Sequence, residues 1–223
     1  MKSNSEYKND ALGKLKGNWS PSIVATVIYL LVTVIIAGST SPAVLKPDSL
    51  AFSGGMMGGS LLLTVFIYCP LFVAFANSFK EYLLYDNQDI AGNMWRKFTD
   101  NYLHKMLGKF LADLKVFLWT LLLFIPGIIM AFAYAMTPYI LEDNPELSAW
   151  DASTRSREMM KGHKFDLFYL YLSFLGWAIL AILTCGIGFI WLIPYMQLAE
   201  VSFYNDIKGG SDPIIVTPAA PAE

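Results

Sequence analysis

Charge is what this sequence has little of. Only 15% of its 223 residues are Asp, Glu, Lys or Arg, and 55% are hydrophobic, whereas an average soluble domain is roughly 25% charged. A chain of this size folded alone in water would lack the polar residues to cover its surface. The shortage is also concentrated. Residues 22–40, 59–79, 116–141 and 167–199 contain no Asp, Glu, Lys, Arg or His. A helix of about 20 apolar residues crosses the hydrocarbon core of a bilayer. The composition therefore excludes an ordinary soluble globule and predicts an all-α protein that crosses a membrane several times.

Other absences narrow the chemistry. There are two histidines, His104 and His163, and no metal-ligand spacing. No His-Glu-x-x-His, Gly-x-Ser-x-Gly or phosphate-loop motif occurs. The run GGMMGG (54–59) follows no strand and reads as a flexible outer loop. Cys69 and Cys185 are too few for a disulfide framework. A net charge of −2 leaves no basic excess for nucleic acid. No catalytic residue, cofactor or metal is expected, and the chain reads as a non-enzyme. The first 21 residues mix Glu6 and Asp10 with four lysines, unlike a secretory signal, so 22–38 reads as a retained anchor.

Spans are expected at 22–39, 59–79, 109–125, 127–142, 165–184 and 189–205. The last two come from dividing one long run at CGIG (185–188), a turn signal. The middle two depend on a choice. One helix over 110–142 would be about 50 Å long, against a core of about 30 Å. Two helices, breaking at Pro126-Gly127, would be short, with Pro126 in the first turn of the second. Cytoplasmic loops carry an excess of Lys and Arg. With six spans and both termini inside, fifteen of the sixteen Lys/Arg lie inside and only Lys46 outside. Five spans would move Arg155, Arg157, Lys161, Lys164 and Lys208 out and leave ten inside. Six is the better reading, with the short third and fourth helices either thinning the bilayer or forming a re-entrant pair. The organisation expected is a cytoplasmic amphipathic segment (1–21), one membrane domain (22–207) and a disordered cytoplasmic tail (208–223).

A pattern recurs before each pair of spans. Lys16, Gly17 and Trp19 precede the first, Gly108, Lys109 and Phe110 the second, and Lys161, Gly162 and Phe165 the third. Lysine stays among headgroups, glycine allows an in-plane helix to turn along the bilayer normal, and the aromatic settles at the interface. The expectation is three helical hairpins, each preceded by a cytoplasmic amphipathic helix, with His163 an interfacial residue at a corner. The clearest amphipathic helix is 145–161, with Asn144 as its cap, Pro145 in its first turn and Glu146 at its N-terminal dipole. Candidate lipid-headgroup contacts are Lys16, Arg96, Lys97, Lys109, Arg155, Arg157, Lys161 and Lys164, each basic residue contributing about 1 kcal/mol near an anionic surface. A second set, Pro70, Asn77, Pro138, Pro194 and Gln197, is expected to line a cavity if the proline-bearing helices expose backbone carbonyls, as transporters do. The acids nearest the spans are Asp113, Glu142, Asp143, Asp166 and Glu200.

The run PGIIMAFAYAMTPYILEDNPELSAWDASTRSREMMKGHKFDLFYLYLSFLGW, then GIGFIWLIPYMQLAEVSFYNDI, resembles a bacterial integral membrane family known as domain of unknown function nine-seven-five. ALGKLKGNWS fits its usual start, so the resemblance covers about residues 10–207. A more distant likeness is to the membrane domains attached to some glycerophosphodiester phosphodiesterases, whose catalytic barrel this chain lacks. The resemblance implies a multi-pass protein of the bacterial cytoplasmic membrane and no activity. Three functions remain open. The first is a lipid- or partner-engaging membrane protein, its partner another protein or a second copy of the chain. The second is a permease for a small neutral or apolar solute. The third, an intramembrane enzyme, would need Asp113, Glu142, Glu200 and His163 around one pocket.

Overall fold

A computed structural model describes residues 2–39 and 62–211, so the GGMMGG loop, Lys46 and residues 212–223 lie outside the described residues. All regular structure among the described residues is helical. Three stretches are long and apolar enough to cross a membrane, Trp19–Gly38, Phe124–Asp143 and Lys164–Leu183. They coincide with the expected spans 22–39, 127–142 and 165–184.

Helix α1 (Asn4–Leu15) starts in a capping box, in which Ser3 accepts from the Glu6 amide and the Glu6 side chain accepts from the Ser3 amide. Its buried residues, Tyr7, Ala11 and Leu15, recur every four positions and so share one face. That face packs on the last helix, α11 (Phe189–Ser211). The Tyr7 hydroxyl donates to Asp206 (2.6 Å), and its ring meets Phe203 edge-on. Burial pushes the Asp206 carboxyl up, but the Tyr7 hydroxyl and the Lys2 amide outweigh burial and hold it below the usual aspartate value. Gly17 then turns the chain at φ +87° into α2 (Trp19–Ser39).

A π-helical turn (Thr64–Tyr68) leads into α3 (Cys69–Tyr85). Pro70 lacks the N–H that would meet the Phe66 carbonyl, and the Tyr102 hydroxyl donates to that carbonyl instead. Helix α3 is the centre of the core. Val73, Ala74, Phe75 and Phe79 are buried, and Phe75 stacks on Tyr29 of α2 at 4.3 Å. Helix α4 (Ile90–Thr99) is capped by Asp89, and Asn101 at φ +47° turns the chain into α5 (Tyr102–Leu122). Leu123 is extended, and α6 (Phe124–Tyr134) packs back on α5. The reversal therefore falls at Leu123, three residues before the expected Pro126. Helix α7 (Thr137–Asp143) carries Pro138 in its first turn, and α8 is Ala149–Met159. Gly162 at φ +92° leads to α9 (Lys164–Leu172) and α10 (Leu175–Leu183). Cys185 (φ +54°) and Gly186 (φ +87°) then make the turn expected at CGIG. The break between α9 and α10 is filled by Lys8, which donates to the Ser173 carbonyl (2.7 Å) and stands over the Phe174 ring.

The structure corrects three further expectations. Gly108 is no corner. It lies buried inside α5, where an added Cβ would run into the Leu141 side chain, so its role is close approach of α5 to α7. The second corner is Asn101, because asparagine tolerates the left-handed region. Asn144 ends α7, while Ser148 caps α8 by accepting from the Asp151 amide (3.1 Å). Helix α11 runs to Ser211, so Lys208, expected to open a disordered tail, is helical and paired with Asp143.

Candidate functional site

Two neighbouring acids at the end of α7, Glu142 and Asp143, gather four lysines from four other helices. Glu142 holds Lys97 of α4, which also pairs with Glu81 at 2.7 Å. Lys105 of α5 lies 2.9 Å from the second oxygen of Glu142, as an ion pair without hydrogen-bond geometry, and donates to the Lys97 carbonyl (3.0 Å). Asp143 holds Lys80 of α3 and Lys208 of α11 and accepts from the Tyr204 hydroxyl at 2.7 Å. The Lys105 side chain is 2% exposed and that of Lys97 12%. Burial works against the Lys97 ammonium, but Glu142 and Glu81 outweigh it and raise its pKa above the ordinary lysine value. This network ties α3, α4, α5 and α11 to the end of α7.

The network sorts the expected headgroup contacts. Lys97 is taken into the interior by Glu142. Lys109 pairs with Asp113 one turn on and stands 4.8 Å over the Phe72 ring. It too is turned inward. Arg96 is exposed and donates to Asn93. Arg155 is half-buried and lines a cavity of about 510 Å³ with Asp151, Glu158, Tyr204 and Lys208. Lys16, Arg157 and Lys161 are exposed and Lys164 half-buried, and none of the four makes an ion pair among the described residues. Lys16, Lys161 and Lys164 flank the two glycine corners. His163 contacts Asp166 at 3.2 Å beside the second. Phe165, directly after Lys164, faces outward at 74% exposed.

A second cavity, of about 250 Å³, opens where α3, α5, α6, α7, α9 and α11 meet. Glu200, Asp113, Lys109, Tyr134, Tyr171 and Pro138 line it. Tyr171 donates to Glu200 at 2.6 Å. Of the five residues expected to line a cavity, Pro138 does so. Asn77 donates to the Pro138 carbonyl (2.8 Å), and Gln197 donates to the Tyr139 hydroxyl in the helix turn behind it. Pro70 and Pro194 are buried elsewhere, and the Phe66 carbonyl freed by Pro70 is already satisfied. Asp113 and Glu200 share this cavity, but Glu142 is in the ion-pair network and His163 is on Asp166, so the four groups considered for enzyme chemistry do not converge. Sequence reasoning places Glu200 at a span end without its tyrosine. A lone acid in the run IPYMQLAEVSF is the signal that marks it.

The family model described as "Protein of unknown function (DUF975)" matches residues 99–211. The match begins at the end of α4 and takes in Glu142, Asp143, Glu200 and Lys208, a shorter stretch than residues 10–207. It does not extend the likeness to glycerophosphodiester phosphodiesterase membrane domains. No curated protein and no solved structure matches the chain.

Proposed function

Since the chain belongs to the DUF975 family of proteins of unknown function, membership fixes no activity, and we propose from the geometry that it is a non-enzymatic, multi-pass protein of the bacterial cytoplasmic membrane that engages anionic lipid through its basic face. The observation that carries this is the division of the cations. Lys80, Lys97, Lys105 and Lys208 are consumed by internal acids, whereas Lys16, Arg157, Lys161 and Lys164 pair with no acid among the described residues, and Lys164 is followed directly by the outward-facing Phe165. A cation kept out of ion pairs at an apolar rim is placed to meet a headgroup phosphate, at about 1 kcal/mol each. Replacing all four by glutamine is expected to cut binding of phosphatidylglycerol relative to phosphatidylcholine, read by native mass spectrometry of the purified protein, by roughly tenfold or more. An unchanged preference would refute the reading.

Six segments enter the bilayer in this reading, as three hairpins with both termini cytoplasmic. The paired reversals at Leu123 and at Cys185-Gly186 support it. From Lys115 to Leu123 is eight residues, about 12 Å of helix, so the α5–α6 pair is read as re-entrant. An epitope inserted between Glu146 and Leu147 is expected to be reached by antibody only after permeabilisation. Labelling in intact cells would place the basic face outside and end the proposal.

The cavity around Glu200 favours a second reading, a permease for a small solute. The geometry asks for a polar solute there rather than an apolar one, because a carboxylate lines the wall.

A further inference from the structure

The geometry points to the Glu200 cavity as a binding site for a small organic ammonium ion. The charges facing it come from two helices. Lys109 and Asp113 of α5 neutralise each other as an ion pair. Glu200 of α11 meets no Lys, Arg or His within 4 Å among the described residues. It accepts from the neutral Tyr171 hydroxyl at 2.6 Å, and a carboxylate has about four acceptor positions. The Glu200 carboxyl on the wall therefore has no ion-pair partner among the described residues, and a bound ammonium ion would supply one.

The rest of the wall says which cation fits. Phe72, Tyr134 and Tyr171 present aromatic rings, and Ala112, Ala131, Ala135 and Val116 are apolar. Aromatic faces attract cations, and one of them already does so here, since Lys109 stands over Phe72. A hard metal ion is held mainly by carboxylates and carbonyls, and no group of three or more His, Cys, Asp or Glu placed to hold one occurs among the described residues. An alkylammonium wants one carboxylate, a few further acceptors and an apolar enclosure. At about 250 Å³ the space is smaller than drug-sized pockets, so the ligand is a compact amine. A free amine and the ethanolamine headgroup of a lipid present the same group.

This inference rests on the cavity of the second functional reading, and it requires binding, not transport. Full-length protein in phosphatidylcholine nanodiscs is titrated at pH 7 with cyclohexylammonium chloride and, separately, with cyclohexanol. The expected result is saturable binding of the ammonium at least tenfold tighter than of the alcohol. Glu200→Gln should lose at least tenfold in ammonium affinity with the alcohol within threefold. Equal affinities, no binding of either probe, or an unaffected Glu200→Gln each overturn the site. If Glu200→Gln loses its thermal unfolding transition, Glu200→Leu replaces it, and native ammonium affinity in that folded variant overturns the proposal. Adding phosphatidylethanolamine to the nanodiscs separates the sources. Competition identifies the headgroup and unchanged affinity the free amine, each within the proposed class. Flux of the probe across proteoliposomes is read separately, so absent flux with intact binding rejects the permease and keeps the site.

Discussion

Glu142→Ala is expected to destabilise the protein by about 3–5 kcal/mol, the cost of removing one partner from a buried ion pair. The cost does not come from the attraction lost. It comes from what stays behind. Lys105, 2% exposed, and Lys97, 12% exposed, would keep their ammonium groups in a space with too little water to solvate them. Lys97 would retain Glu81 at 2.7 Å, and Lys105 only the more distant Asp100 at 3.8 Å, so Lys105 carries the larger share. The same reasoning predicts a rescue. The triple variant Glu142→Leu, Lys97→Met, Lys105→Met leaves no orphaned charge and should recover most of the loss, because apolar replacement of a whole buried pair is often neutral or better. Reversible unfolding of the purified protein in mixed micelles checks both. A single variant within about 1 kcal/mol of native, or a triple variant no better than the single, would mean that these lysines are solvated and the network is a surface one.

That network also shows where the sequence stops being readable. Runs without charge reveal α2, the α6–α7 stretch and the α9–α10 stretch, because covering apolar residues in lipid is a composition-level demand that every residue of the run reports. Corners at Gly17 and Gly162 are legible because a left-handed backbone is a local demand that glycine meets without strain. The second corner is hidden for the same physical reason: asparagine also meets the demand, so Asn101 carries the turn while the glycine next to Lys109 goes to helix packing. Pairings are another matter. Lys97 and Glu142 are 45 residues apart, and nothing near Lys97 distinguishes it from Arg96 beside it, which faces outward. A basic amphipathic stretch specifies how many cations there are, and only the fold decides which of them are neutralised inside. Glu200 is visible as an acid at a span end. Its tyrosine and its cavity come from α9 and α6, elements whose arrangement no local pattern encodes.

Gly127→Ala and Gly188→Ala are each expected to cost about 1–3 kcal/mol, the range for forcing extra atoms into close packing. The two glycines are the same device used twice. Each lies seven residues after the residue it touches, across a chain reversal. A Cβ on Gly127 would stand 2.6 Å from the Cα of Thr120, and one on Gly188 would stand 2.7 Å from the Cα of Ala181. Both obstacles are backbone, so no rotamer change relieves them, and the arms must part. Trimming Thr120 to alanine removes the hydroxyl from the path of the new methyl but leaves the backbone where it is, so Thr120→Ala should fail to rescue Gly127→Ala. Gly176 in α10 is the matched control. An added Cβ there meets nothing within 4 Å, and alanine should be neutral or stabilising by up to about 1 kcal/mol, as expected in a helix. Parting the arms at Gly127 also loosens the hold of α5 and α6 on α8, which packs on both and whose Ser156 donates to the Ala133 carbonyl at 2.9 Å. Faster hydrogen exchange should therefore spread from the reversal into α8 in Gly127→Ala and stay in α10 and α11 in Gly188→Ala. Native stability in Gly127→Ala would show that the arms do not touch at Leu123, and the proposed return of Arg157 and Lys161 to the side of Lys16 would lose its physical basis.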